Sequence, residues 1–255
     1  MRELIAFDCA GETLLGTLDR AEGKTGLLIV SGGNEIRVGA HRGMALLAER
    51  LSVAGIPVLR FDRRGVGDSG GENGGYASSA PDIAAAVAAF RQHAPAVERI
   101  AGFGNCDAAT ALVLFGRGVG IDRLILSNPW VIEPTDDLPP AAAIRARYAE
   151  RLRDPKEWRR LVTGGVDLRK LVSGLRKVFA KRPEDHNSLA DRFFRATPRD
   201  ATVILAQRDA TAQAFADEAA KRGWAGTIAT IDTASHSYAR DGDGNALFEA
   251  VIAAL

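Results

Sequence analysis

The sequence predicts an α/β fold with a mostly parallel central sheet, helices on both faces, and a helical insertion ahead of the last two core strands. Three observations carry this. Short apolar, strand-like runs alternate with stretches of helical apolar spacing over 25–128. Such alternation implies parallel strands joined by helical crossovers. The alternation stops over 129–200 and resumes over 201–255. A hairpin at the start adds antiparallel strands at one edge. The expected division is therefore 1–128 for the first part of the core, 129–200 for the insertion and 201–255 for the second part.

Each element has a local reason. Residues 3–9 and 13–18 alternate as hairpin arms around a turn at Ala10-Gly11-Glu12. Residues 25–30 are a buried strand closed by Ser31-Gly32-Gly33-Asn34. Met44, Leu47, Leu51 and Ala54 share one face of a helix over 42–54, which Gly55 ends. A strand over 57–61 runs into a glycine-rich loop over 62–71. Ile83, Val87 and Phe90 mark a helix over 82–93. Strands follow at 99–103 and 123–126, with a helix at 106–115 between them. After the insertion come a strand at 202–206, a helix at 211–222, a strand at 227–231 and a helix at 245–254.

Composition narrows the class. A chain of 255 residues, 46% hydrophobic and 25% charged, buries a sizeable core without disulfides or metals. A net charge of +1 carries no nucleic-acid signature. Cys9 and Cys106 make neither a disulfide framework nor a zinc-type pair, so a reducing compartment is expected. The opening residues are too acidic for a signal peptide, and no apolar run approaches the roughly 18 residues of a spanning helix. A soluble, cytoplasmic protein is expected. No histidine pair or carboxylate cluster has ligand spacing, so neither metal nor other cofactor is expected.

The chemistry centres on Gly104-Asn105-Cys106-Asp107-Ala108. A strand that ends here and turns sharply into a helix has the shape of a nucleophile elbow, with cysteine in place of serine. Gly104 and Ala108 are the small neighbours that a tight turn needs. The helix N-terminus favours a thiolate. Buried cysteines are common and mostly inert, so the pentapeptide alone does not assign a nucleophile. Context does. Asp209 lies just past the strand at 202–206, and His236 lies in the loop after the last strand. Nucleophile, acid and base then follow one another in chain order at one edge of the sheet.

Asp107 and Asp232 are alternative acids, although the side chain of Asp107 is expected to point away from the sulfur. His93 and His186 read as surface residues. His41 and Trp130 are candidate substrate contacts. The oxyanion is expected to meet the backbone N–H of Asp107 and that of Gly33 or Asn34.

The segment RFDRRGVGDSGGE, 60–72, matches the D-x-R-G-x-G-x-S signature common in α/β-hydrolases. Together with GGNEIRVGAHR, GNCDAA, LSNPWV, QRDATAQAF and SHSYAR, it resembles the exosortase A system-associated hydrolases of type 1 along the whole chain. The resemblance implies an α/β-hydrolase fold with a family cysteine at the elbow. It also implies Cys106 as nucleophile, Asp209 as acid and His236 as base, in a setting of exopolysaccharide export and protein sorting. It supplies no substrate. Dienelactone hydrolases, which pair a cysteine with this fold, are a more distant likeness.

Two functional classes follow. One is a hydrolase or acyltransferase acting on an activated ester, thioester or lactone. The other is a non-catalytic binding protein on the same scaffold. The insertion, expected as a lid, is rich in Arg and Lys, including Arg145, Arg159, Lys170 and Arg176. A basic lid is either a solvated face paired with the acidic core or a dock for an anionic carrier. Such a carrier would be an acyl carrier protein, coenzyme A or an acidic glycan. Contact with an anionic membrane surface is a third reading of the same charge.

Overall fold

The computed structural model describes residues 1–133 and 188–255. Eight strands form one sheet in the order β1-β2-β4-β3-β5-β6-β7-β8. They are β1 (Arg2–Cys9), β2 (Glu12–Asp19), β3 (Thr25–Val30), β4 (Val58–Phe61), β5 (Arg99–Asn105), β6 (Arg123–Ser127), β7 (Thr202–Ala206) and β8 (Thr227–Ile231). The pairs from β4 through β8 are parallel. β1 pairs antiparallel with β2, and β2 antiparallel with β4. This is the mostly parallel α/β sheet that the alternation predicts, in the α/β-hydrolase arrangement that the resemblance implies.

Among the described residues six α-helices accompany the sheet: α1 (Gly43–Val53), α2 (Ala80–His93), α3 (Asp107–Ala111), α4 (Leu189–Ala196), α5 (Ala210–Lys221) and α6 (Asp243–Ala254). Two apolar layers hold them. Leu47 and Leu51 of α1 and Leu247 and Val251 of α6 pack with Leu27, Ile29 and Phe103 on one face. Phe90 of α2, Ala111 of α3, Phe193 of α4 and Phe215 of α5 pack with Leu28, Ile100 and Val203 on the other. Side chains of one strand alternate between these layers, so the sheet is buried on both faces.

Three boundaries differ from expectation for local reasons. The first hairpin turns on two residues, Ala10 (φ 57°) and Gly11 (φ 85°), which leaves Glu12 in the strand. Positive φ at both positions matches the right-handed twist of the flanking strands. α1 begins at Gly43 because Arg42, at φ 61°, sits in the left-handed region. β5 continues two residues past the expected end, where Asn105 still pairs with Ser127. Cys106 therefore falls immediately beyond the last paired residue.

Most of the expected insertion, including Arg145, Arg159, Lys170, Arg176 and His186, lies outside the described residues. Among the described residues, no helix is long and apolar enough to cross a membrane.

Candidate active site

β3 is the point where strand order reverses: β4 lies to one side of it and β5 to the other. In open α/β sheets, sites form beyond the carboxyl ends of strands near such a switch. The loops after β3, β5, β7 and β8 carry Gly33-Asn34, Cys106, Asp209 and His236 respectively.

Cys106 adopts φ 61° and ψ −124°, a strained backbone between β5 and α3. The turn is tight enough to require glycine at 104, since a methyl group there would sit 2.7 Å from the Ala108 carbonyl carbon. The Cys106 amide donates to Ser127 O at 2.9 Å, and its carbonyl accepts from Trp130 N at 3.2 Å. The thiol is a free, half-buried group.

Asp209 caps α5. Its Oδ1 accepts the Thr211 and Ala212 amides at 3.0 and 2.9 Å. The same oxygen lies 3.1 Å from His236 Nδ1. Burial works to raise this carboxyl, but the hydrogen bond and charge of His236, with the two amides, hold it below the ordinary carboxylate value. The imidazole is pushed up to about 10, by its hydrogen bond to Asp209 first and its hydrogen bond to Cys106 second, against the opposing effect of burial. The three predicted side chains therefore meet as a chain of contacts: carboxylate, imidazole, sulfur. Asp232 is exposed, and its carboxylate pairs with Arg208 at 3.3 Å.

The loop after β3, expected to meet an oxyanion, differs in one respect from expectation. The Gly33 amide donates to the Asp107 carboxylate at 2.8 and 3.0 Å, so it is already engaged. The Asp107 side chain does point away from the sulfur, and this amide is what it reaches. Among the described residues the Asn34 amide has no acceptor, while its side-chain oxygen accepts from Asn73 Nδ2 at 2.8 Å. Arg63, only 2% exposed, sits under the loop. It donates to Gly33 O and to Ser79 Oγ, both at 2.7 Å, and approaches the Asp107 carboxylate at 3.9 Å.

The Alpha/beta hydrolase family matches residues 28–249. The chain belongs to the alpha/beta hydrolase family. Comparison with curated proteins yields no match. Several solved structures share the fold. The Pyrococcus furiosus esterase Pf2001 aligns with a TM-score of 0.65 at 18% identity, covering 100% of this chain and 90% of that one. The alpha/beta hydrolase GrgF from Penicillium sp. sh18 aligns with a TM-score of 0.67 at 16% identity, covering 100% and 97%. The thioesterase domain from the curacin biosynthetic pathway aligns with a TM-score of 0.60 at 12% identity, covering 99% of each.

The remaining residues of this alpha/beta hydrolase divide into those at the elbow and those apart from it. Trp130 is held beside the elbow through its backbone, and its carbonyl accepts from Thr110 Oγ1 at 2.6 Å. Its ring meets Tyr76 edge-on, with centroids 5.5 Å apart. His41 is exposed at φ 52° in the turn before α1, and among the described residues no contact links it to Cys106, Asp209 or His236. The signature loop is largely structural. Asp62, fully buried, accepts from the Arg37 amide at 2.5 Å and from its guanidinium. Ser69 bridges Asp62 O and the Leu15 amide. Sequence reasoning missed Arg63, which occupies the unspecified position of that signature, and Tyr76. The bulk and charge of Arg63 next to a strand end were the only available signal.

Proposed function

We propose that this chain is a cysteine hydrolase. In this reading Cys106, His236 and Asp209 cleave an activated ester, a thioester or a lactone through an acyl-cysteine intermediate. The observation that carries the reading is the imidazole of His236. It has Asp209 Oδ1 at 3.1 Å on Nδ1 and Cys106 as its second hydrogen-bond partner. The esterase and thioesterase among the structural neighbours support the reaction class.

The imidazole of His236 takes the proton of Cys106 as the sulfur becomes nucleophilic, and its contact with Asp209 stabilises the imidazolium that forms. Sulfur attacks the carbonyl carbon, and the oxyanion rests on the amides of Asp107 and Asn34. The adduct expels the leaving group, which takes the proton from His236. A thioester to Cys106 remains. His236, neutral after giving its proton to the leaving group, then draws a proton from water. The resulting hydroxide attacks the thioester, the acid departs, and Cys106 and His236 return to their starting state. Asp209 fixes the tautomer throughout. Thiolate is also a good leaving group, so adducts of amides and simple alkyl esters collapse backwards. Activated esters, thioesters and strained lactones are the favoured class. The subfamily resemblance adds an exopolysaccharide-export setting. The basic character of 129–200 adds an acyl group delivered on an anionic carrier, and the same segment is proposed as the lid.

The test is intact-protein mass spectrometry after mixing with an activated acyl ester such as a p-nitrophenyl ester. A mass increase on Cys106 that is absent in Cys106→Ala supports the reading. No adduct, together with ordinary slow alkylation of Cys106 by iodoacetamide, favours a binding protein on a hydrolase scaffold.

A further inference from the structure

The LSNPWV segment carries a residue that touches all three arms of the site. We infer that Asn128, with Asn105 as its partner, is a positioning residue that sets the imidazole of His236 against Cys106. The inference rests on the cysteine-hydrolase reading above.

Asn128 follows β6 directly, is fully buried, and holds φ 41°. Asparagine tolerates that left-handed backbone better than most residues do. Its amide group makes use of both donors and its acceptor. Oδ1 accepts the Ala206 amide at 2.8 Å, at the end of the strand that presents Asp209. Nδ2 donates to Asn105 Oδ1 at 3.1 Å and to the His236 carbonyl at 3.2 Å. Asn105, the residue before the nucleophile, donates its own Nδ2 to the same His236 carbonyl at 3.2 Å. Its Oδ1 also accepts from Ser127 Oγ at 2.9 Å. Ser127 Oγ in turn meets Tyr238 OH at 2.8 Å, two residues beyond His236.

The consequence is geometric. The loop after β8 has no strand partner at His236. Two side-chain amides hold that carbonyl from the side of the elbow. One of them belongs to the residue bonded to Cys106 itself. Base and nucleophile are thereby referenced to each other through two hydrogen bonds, and the acid strand is referenced to both through Asn128 Oδ1. A buried network of this kind specifies one arrangement because every member is satisfied.

The test compares wild type, Asn105→Ala and Asn128→Asp. Asn128→Asp retains the acceptor for Ala206 but loses both donors. Asn105→Ala, at the half-buried rim, removes one donor to His236 O and carries the test if the aspartate variant does not fold. Two readouts are used: kcat and KM with an activated ester, and the rate of Cys106 alkylation as a function of pH. Misplacing the imidazole by about 1 Å should lower kcat by roughly 10- to 100-fold with KM little changed. It should also move the pH dependence of Cys106 alkylation away from the wild-type profile. A merely structural role leaves that profile where it is. If wild type alkylates at low pH and the folded variants match it in profile and kcat, the inference is overturned and the nucleophile reading stands. If wild type itself alkylates like a free cysteine, the nucleophile reading fails and takes this inference with it.

Discussion

His236 Nδ1 and Asp209 Oδ1 lie 3.1 Å apart across the ends of two neighbouring parallel strands. The same carboxylate oxygen caps α5 through two backbone amides, so its ionised form is favoured before the imidazole arrives. The pairing therefore joins a fixed anion to a base on a loop.

The sign of its pH dependence follows. The folded imidazole is raised from 6.5 to about 10, so its contribution to stability is fully present below the unfolded value. That contribution is lost as pH rises through about 10. Asp209 is held below its usual value of 3.8, so its contribution is present above that pH and lost as pH falls through the folded value. Asp209→Asn removes both contributions. Urea unfolding should show the largest deficit of this variant between about pH 4 and 6.5 and a smaller one above about pH 10. In the same variant the imidazole, followed by NMR, should titrate closer to 6.5. Turnover of an activated ester should fall by roughly two to four orders of magnitude, as the wrong tautomer becomes available.

The two cysteines should separate cleanly under alkylation. Cys9, 3% exposed, donates to Asp82 Oδ1 at 3.2 Å. Burial, then the hydrogen bond and charge of Asp82, push its thiol up to about 11. It is neutral and shielded near neutral pH, where thiolate is the reactive form. Native protein treated briefly with iodoacetamide near neutrality should gain one adduct, mapped by peptide mass spectrometry to Cys106. Equal labelling of Cys9 would contradict its burial.

Gly104→Ala tests the elbow itself. The added methyl group meets the Ala108 carbonyl carbon at 2.7 Å and its oxygen at 2.9 Å, and these are backbone atoms that cannot swing aside. The variant should lose about 1–3 kcal/mol by overpacking. Because the displaced turn carries Cys106, kcat should fall further than the stability loss explains. Chemical denaturation and steady-state kinetics at a temperature where the variant stays folded give both numbers.

The placement of Cys106, Asp209 and His236 at one sheet edge was legible because it obeys local rules. Asp209 and His236 each stand just after an apolar run with strand character, and chain order alone sets them at one sheet edge. β3, β7 and β8 begin and end where their apolar runs do. The supporting residues were not legible. Asn105 reads as the unspecified residue of an elbow, and Asn128 as a turn residue before Pro129. Their shared grip on the His236 carbonyl spans more than 100 residues of chain, and no sequence pattern marks it. Asp107 was expected to point away from the sulfur. That it reaches the Gly33 amide depends on a loop conformation set by Arg63, a long-range contact. The divisions 1–128, 129–200 and 201–255 rest on the sequence alone where they border the undescribed stretch.

Arg63 offers the last test, because it separates support of the oxyanion loop from chemistry. Its guanidinium is buried, and burial lowers its pKa while Asp107 and Asp82 raise it. It holds the Gly33 carbonyl, and Asp107 holds the Gly33 amide, so one residue of the loop is gripped on both sides. Arg63→Met leaves the Gly33 carbonyl and the Ser79 hydroxyl without this donor and Asp107 without its nearby cation. Losing one partner of a buried pair costs roughly 3–5 kcal/mol, and less here because the Asp107 side chain is 14% exposed and the separation is 3.9 Å. A loss of about 2–3 kcal/mol in urea unfolding is expected. The Asn34 amide should then lose its fixed direction, so kcat should fall by roughly 10-fold or more while KM changes little. Arg63→Lys retains charge without the fork and should recover stability better than turnover. Should Arg63→Met match wild type in kcat, the amide direction at Asn34 would not depend on this buried arginine.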